Sequence, residues 1–247
     1  MSQFQPQPAW LENYPALARA FQKLHRLLFP APTRFDVQFR AFGTPVRGQP
    51  ACGLPHAVIA AAVAAVDLLR GDPWWPLVFV LCLACTFGAL LAHELGHVAA
   101  ARKAGMCYEV VLTFFGGFVH RAPADPAWYL GYRPSRRQRV LISLSGPAAN
   151  LIVASATLAA WALIGSAESI AREITSNPHG VPPSLIGCPL LEFLVLVFAG
   201  ANLVMGAENL TPIPPLDGGW IALELIGWVR TRGRARWDVD EEWWFRM

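Results

Sequence analysis

Charged residues are scarce in this sequence. Asp, Glu, Lys and Arg make up 15% of its 247 residues, whereas a soluble domain carries about 25%. This deficit excludes a disordered chain and an ordinary soluble enzyme, because both expose more charge to water. Hydrophobic residues reach 54%, so we expect an integral membrane protein in contact with the lipid bilayer. The net charge of +3 gives no indication of a nucleic-acid partner, and nothing in the composition indicates an oligomeric state.

The cysteines do not have the spacing of a disulfide framework. The chain has five cysteines, an odd number. Cys82 and Cys85 form a Cys-x-x-Cys pair, but this pair lies inside an apolar run, where cysteines pack as small hydrophobic side chains. We therefore interpret the pair as part of a buried helix face.

Long apolar segments, in contrast, are abundant. A membrane-spanning helix needs about 20 apolar residues. Four segments are candidates: 54–69, 74–101, 140–165 and 186–208. The first is the weakest candidate, because it is short and contains His56 and Asp67. A fifth apolar stretch, 216–229, is too short to span on its own.

Basic residues orient these spans. Six Lys or Arg precede residue 54, seven lie in the loop 102–139, and four Arg lie in 230–236, whereas the loop 166–185 has one. Because basic residues favour the cytoplasmic side, this pattern predicts a multi-pass protein with both termini and the loop 102–139 in the cytoplasm. Residues 11–29 place apolar side chains at helical spacing, which predicts an amphipathic helix at the membrane surface or packed on the protein.

The expected fold is an all-α membrane protein, a polytopic helical bundle of about four spans. We expect residues 1–53 to form a cytoplasmic or interfacial region, 54–229 the intramembrane domain, and 230–247 a cytoplasmic tail. The segment 110–115 is rich in β-branched and aromatic residues and is followed by a Gly-Gly break at 116–117. It predicts a small β element, a strand or hairpin, in the cytoplasmic loop.

Ionisable residues inside an apolar span indicate function, because burying them there is expensive. The second span ends with the pattern H-E-x-x-H at His93, Glu94 and His97. On a helix, the two histidines lie one turn apart on one face. This pattern is one in which the histidines bind zinc and the glutamate acts as a general base. A cluster at a helix end near the cytosolic interface is the alternative.

A catalytic zinc site usually has three protein ligands and a water. Lys103 stands where a metzincin would place a third histidine. The candidates are Glu192 and Glu208 in the last span, and Asp217 in the segment 209–219, where three prolines break the helix. Broken backbone at membrane depth must be buried in protein or line a wet cavity. We therefore expect a broken helix that returns Asp217 to the cytoplasmic side, near the histidines; an interfacial turn is the alternative.

Three motifs together resemble the site-2 protease family of intramembrane zinc metalloproteases, peptidase family M50. They are HELGH at 93–97, SGPAAN at 145–150 and NLTPIPPLDGG at 209–219. The resemblance covers residues 74–229 and implies that one Zn²⁺ is bound by His93, His97 and Asp217. It also implies that Glu94 is the catalytic base.

The resemblance further implies a protease of a bacterial or archaeal cell membrane. Its substrate would be a membrane-spanning protein, cleaved in or near a transmembrane segment. Residues 110–118 are a candidate strand edge for the unwound substrate. Asn150 is a candidate catalytic residue that orients a ligand or holds the scissile carbonyl, and an interhelical hydrogen bond is the alternative.

Two other functions fit the H-E-x-x-H motif. A membrane zinc metalloprotease of the CAAX-processing type would take Glu192 or Glu208 as the third ligand. A non-catalytic metal-binding membrane scaffold would tolerate the loss of Glu94, because that residue binds no metal in the proteolytic interpretation.

Overall fold

The computed structural model describes residues 34–114, 116–121, 134–175, 189–214 and 216–231. These residues form a small sheet and five helices. The strands are β1 (Val37–Ala41), β2 (Thr44–Gly48), β3 (Tyr108–Thr113) and β4 (Gly116–Arg121). The helices are α1 (Leu54–Leu69), α2 (Trp75–Lys103), α3 (Arg136–Thr175), α4 (Pro189–Asn209) and α5 (Asp217–Thr231). The amphipathic helix predicted at 11–29 and most of the predicted tail 230–247 lie outside the described residues.

Three of the helices are long and apolar enough to cross a membrane, which makes the chain an integral membrane protein. They are α2, the part of α3 up to Ser166, and α4. All three coincide with predicted spans. Helix α1 is apolar but has 16 residues, fewer than the about 20 that a span requires. Four crossings therefore stay a prediction.

Helix α2 is the centre of the bundle. It packs against α1, α3 and α4, while α3 also packs against α4 and α5. Between α1, α2 and α4 the core consists of small side chains such as Ala60, Ala64 and Cys82, which let the helices approach closely. Cys82 is buried in this core, whereas Cys85 is only partly buried, so the predicted buried helix face is found for Cys82 but not fully for Cys85.

The sheet is larger than the sequence predicted. Strands β3 and β4 form the expected hairpin, and β2 pairs with β3 in parallel, so that the order is β1-β2-β3-β4. Strands β1 and β2 come from residues 37–48, where no strand was predicted. Their signal in the sequence is weak: apolar side chains alternate at Val37 and Phe39, and a Phe42-Gly43 turn follows.

One face of the sheet covers the end of α2 that carries the histidines. Val46, Val110 and Leu112 of the sheet pack with Leu90 and Val98 of α2 in a buried core. The sheet is therefore fixed to the same stretch of helix that carries the H-E-x-x-H motif.

The two glycines of the loop lie in a strand, not at the break that the sequence predicted. Gly116 and Gly117 open β4, where they pair with Thr113 and Leu112 of β3. The Thr113 hydroxyl donates a hydrogen bond of 3.2 Å to the Gly116 carbonyl, so the hairpin turn lies between these two residues. Position 117 requires glycine because the strand backbone lies directly against α2 there.

Candidate metal centre and active site

His93, Glu94 and His97 lie on the last third of α2. All three are buried, with exposed fractions of 4%, 3% and 7%. Strands β3 and β4 and helix α3 pack against α2 and cover this region. Polar side chains buried to this degree need partners, and these partners define the site.

The orientation of His97 is set by a backbone carbonyl. Its Nδ1 lies 2.7 Å from the carbonyl oxygen of Ile142 on α3. Because a carbonyl only accepts, Nδ1 carries the proton and donates it. The other ring nitrogen, Nε2, therefore presents a lone pair.

The orientation of His93 is set by a buried amide. Its Nδ1 lies 2.7 Å from Oδ1 of Asn150 on α3. The Asn150 Nδ2 group donates to the carbonyl of Ala89 and to Oδ1 of Asn202, at 2.9 Å each. These two acceptors fix the amide so that its oxygen faces His93. His93 therefore donates from Nδ1, and its Nε2 also presents a lone pair.

Asn150 thus has no N–H group left for a substrate carbonyl, since both are donated within the protein. This arrangement favours the orienting role over the direct catalytic one. The contact with Asn202 on α4 is an interhelical hydrogen bond of the kind the sequence suggested for Asn150.

Asp217 supplies the third converging atom. Helix α4 ends at Asn209 and α5 begins at Asp217, so this carboxylate stands in the first turn of a new helix. Its Oδ2 lies 3.1 Å from Nε2 of His93 and 3.3 Å from Nε2 of His97. The two Nε2 atoms are 3.1 Å apart.

These three atoms fit a metal ion. Two carry lone pairs and the third belongs to a carboxylate, so without a cation they would repel one another. Oδ2 of Asp217 is buried and has no hydrogen-bond donor among the described residues. Tetrahedral zinc with bonds of about 2.0–2.1 Å sets its ligands about 3.3 Å apart, close to the observed separations.

The other candidate ligands are not part of this cluster. Among the described residues, the group of His, Cys, Asp and Glu side chains that could hold a metal ion consists of His93, His97 and Asp217. Glu192 stands in the first turn of α4, and Glu208 is exposed near its end.

Glu94 faces the sheet. A Cβ atom added at Gly117 of β4 would overlap Cγ, Cδ and Oε1 of Glu94, so the strand backbone lies directly against this side chain. Only glycine allows this approach. The carboxylate is therefore confined between α2 and the start of β4.

A second glycine makes room for the histidines. A Cβ atom at Gly146 of α3 would overlap Nε2 of His97 and come within 2.9 Å of Nε2 of His93. Gly146 belongs to the SGPAAN motif, whose glycine and alanines are small enough to let helices approach closely. Its contact with the imidazoles was not predicted.

Comparison with known proteins decides the family. The family model described as peptidase family M50 matches residues 79–239. The chain belongs to peptidase family M50. The match contains all four residues of the candidate site, and the resemblance read from the motifs is confirmed. A zinc metalloprotease with zinc as its cofactor is thereby confirmed at the level of the family.

Individual relatives of the M50 chain are distant. The zinc metalloprotease MJ0392 of Methanocaldococcus jannaschii is 24% identical over 76% of this chain and 44% of its own. Rip3 of Mycobacterium tuberculosis, which carries the name of a zinc metalloprotease, is 34% identical over 53% of this chain and 27% of its own. The chain thus spans less than half the length of these relatives. A solved site-2 protease of M. jannaschii matches with a TM-score of 0.44 and 19% identity, covering 78% of this chain and 72% of that one.

Proposed function

We propose that this M50 chain hydrolyses a peptide bond in or near a transmembrane segment of a membrane-spanning protein. One observation carries the proposal. Three metal-ligating atoms converge within 3.3 Å of one another, and the glutamate next to His93 in the chain is buried against a strand. A scaffold that only binds metal has no use for this confined carboxylate.

In this proposal His93, His97 and Asp217 hold the zinc ion. When bound, zinc polarises the substrate carbonyl and acidifies a water to a pKa of about 7. Glu94 accepts a proton from the attacking water and passes it to the leaving amine. The backbone of Gly117 holds the carboxylate in place for both transfers. Asn150 and the Ile142 carbonyl keep the histidine Nε2 atoms aimed at the metal.

The substrate must unwind before it is cut, because the peptide bonds of a transmembrane helix are enclosed by their own hydrogen bonds. Among the described strands, β3 is paired on both sides and β4 ends the sheet, so the edge that receives the substrate would belong to β4. A substrate strand added to β4 would run past Gly117, which touches Glu94. Of the candidate substrate edge 110–118, residues 116–118 belong to β4, and these residues would therefore contact the substrate strand.

The proposed location is a bacterial or archaeal cell membrane, with both termini and the site on the cytoplasmic side. The site lies at the end of α2 that carries Arg102 and Lys103, and α3 begins nearby with Arg136 and Arg139. Basic residues at these two helix ends support the cytoplasmic assignment of the loop between them.

The test is a pair of measurements on protein purified in detergent, zinc content and cleavage of a model transmembrane substrate. Glu94→Gln should keep zinc and lose cleavage by about 10²–10⁴-fold, the usual contribution of a general base. Asp217→Asn should lose both. The control is Glu192→Gln, which should lose neither. Zinc retained in Asp217→Asn and lost in Glu192→Gln or Glu208→Gln would instead indicate the CAAX-type ligand set.

The strand edge has its own test. Phe118 and Val119 are neighbours in β4, so their backbone N–H groups point to opposite sides of the strand. Proline should destabilise the protein when it replaces whichever of these two residues points its backbone N–H group towards β3. Proline at the other position should impair cleavage with zinc content unchanged. Unimpaired cleavage in both variants would remove β4 as the substrate strand.

A further inference from the structure

Glu224 is a buried carboxylate outside the site. It lies on α5, seven residues after Asp217, and has an exposed fraction of 5%. Seven residues are about two helical turns, so the two carboxylates lie on the same face of α5. In the sequence, Glu224 is the second acidic residue of the apolar stretch 216–229, after Asp217, and it belongs to none of the three motifs.

Two arginines of α3 hold this carboxylate. Arg139 donates to both of its oxygens, from Nε at 2.5 Å and from Nη2 at 3.1 Å. Nε of Arg136 lies 3.3 Å from Oε2. Arg139 itself is fixed by a further hydrogen bond of 2.8 Å from Nη1 to the Pro134 carbonyl. A bidentate hydrogen bond between a guanidinium group and a carboxylate restricts the relative position of two helices more narrowly than apolar packing does.

The position of α5 depends on contacts of this kind. A non-helical segment with Pro212 and Pro214 separates α4 from α5, so α5 is not a continuation of α4. Among the described elements, α3 is the helix against which α5 packs most extensively. Yet the carboxylate at the start of α5 lies within 3.3 Å of two histidine nitrogens on α2.

Arg139 stands close to the other support of the site. It precedes Ile142 by three residues, less than one turn of α3, and the Ile142 carbonyl orients His97. The same short stretch of α3 therefore determines where His97 points and where α5 lies. We propose that Glu224 and Arg139 are positioning residues of the zinc centre, which hold α5 so that Asp217 meets the two histidines. This inference rests on the proposal that Asp217 is a zinc ligand.

The alternative is an ion pair that only stabilises the fold. A buried ion pair by itself is weak evidence for stability, so the two roles must be separated by experiment. The measured quantities are the zinc dissociation constant, from titration of the zinc-free protein in detergent, and the melting temperature of the zinc-free protein. The variants are Glu224→Gln, which removes the charge, and Arg139→Lys, which keeps the charge and loses the two-pronged geometry.

The matched control is a second ion pair, whose two residues belong to neither α3 nor α5. Arg47 donates to the buried carboxylate of Asp36 at 3.0 Å, next to the opposite edge of the sheet from β4. Asp36→Asn therefore breaks a comparable contact without touching the proposed positioning.

We expect Glu224→Gln to weaken zinc binding about tenfold, the lower end of the effect of removing a residue that supports a metal ligand. Arg139→Lys should give a smaller loss in the same direction, and it remains informative if Glu224→Gln does not fold. Asp36→Asn should leave zinc affinity within twofold of the wild type. Unchanged zinc affinity in the folded α5 and α3 variants, or an equal loss in Asp36→Asn, would overturn the proposal.

The variant Asp217→Asn distinguishes the positioning role of Glu224 and Arg139 from the ligand role of Asp217. Loss of zinc in Asp217→Asn together with full affinity in Glu224→Gln would refute the positioning role alone. Full affinity in Asp217→Asn would refute Asp217 as a ligand, and the positioning role would fall with it.

Discussion

The imidazole of His93 and the amide of Asn150 are joined by a hydrogen bond of 2.7 Å between α2 and α3. The amide cannot turn around, because its nitrogen is held by the Ala89 carbonyl and by Asn202. The bond therefore fixes both the rotation and the tautomer of His93. Asn150 on α3 thus determines which ring nitrogen of His93 on α2 would face the proposed metal ion.

We expect Asn150→Leu to weaken zinc binding by about 10–100-fold, as is usual when the partner of a histidine ligand is lost. Asn150→Asp keeps an oxygen at this position and should retain more affinity than Asn150→Leu. Zinc titration of both variants checks this. An equal loss in the two, in step with their melting temperatures, would indicate that Asn150 only stabilises the helix packing.

Gly117→Ala should slow cleavage strongly while zinc content stays close to that of the wild type. The added methyl group displaces the Glu94 side chain, and misplacing a catalytic group by about 1 Å costs on the order of 10²-fold in rate. The measurements are zinc content and substrate cleavage. Gly53→Ala is the control, since a Cβ at Gly53 meets nothing within 4 Å. Full activity in Gly117→Ala would show that the strand does not confine the carboxylate.

Removing zinc should destabilise the protein, because in the proposed ligand set the ion would join α2 to α5. A ligand at 100 times its dissociation constant stabilises by about 2.7 kcal/mol, which corresponds to roughly 5 °C or more in melting temperature for a chain of this size. Thermal unfolding with and without a chelator measures the shift. In Asp217→Asn the chelator should have little further effect. A chelator effect of full size in that variant would contradict the proposed ligand set.

A reporter fused after residue 120 should be cytoplasmic. The fusion point lies in the loop between α2 and α3, where basic residues exceed acidic ones. Accessibility of the reporter in intact cells and in lysed cells measures its side. An external reporter would reverse the proposed orientation of all three spanning helices.

The residues proposed to carry the chemistry are visible in the sequence because they break a local rule. His93, Glu94 and His97 interrupt an apolar run, and Asp217 follows a set of helix-breaking prolines. Each departure carries a large free-energy penalty unless a partner or a metal offsets it. The position of these residues could therefore be predicted without knowing what surrounds them.

The supporting residues are different, because their roles depend on neighbours far away in the sequence. Gly117 resembles any turn glycine until β4 is seen to lie on Glu94, and Glu224 resembles a surface acid until Arg139 is seen to hold it. Strand β2 pairs with β3 although two helices lie between them in the sequence, and no local sequence pattern predicts this pairing. These features belong to the tertiary fold and not to local propensity.

The division of the site among separate helices has a consequence for synthesis. His93 and His97 are translated long before Asp217, and until the later segment has entered the bilayer the histidines offer one ligand fewer than a catalytic centre needs. With the proposed ligand set, a nascent chain would therefore lack a complete zinc site while it is being inserted. Hydrolysis could begin only after α5 has docked.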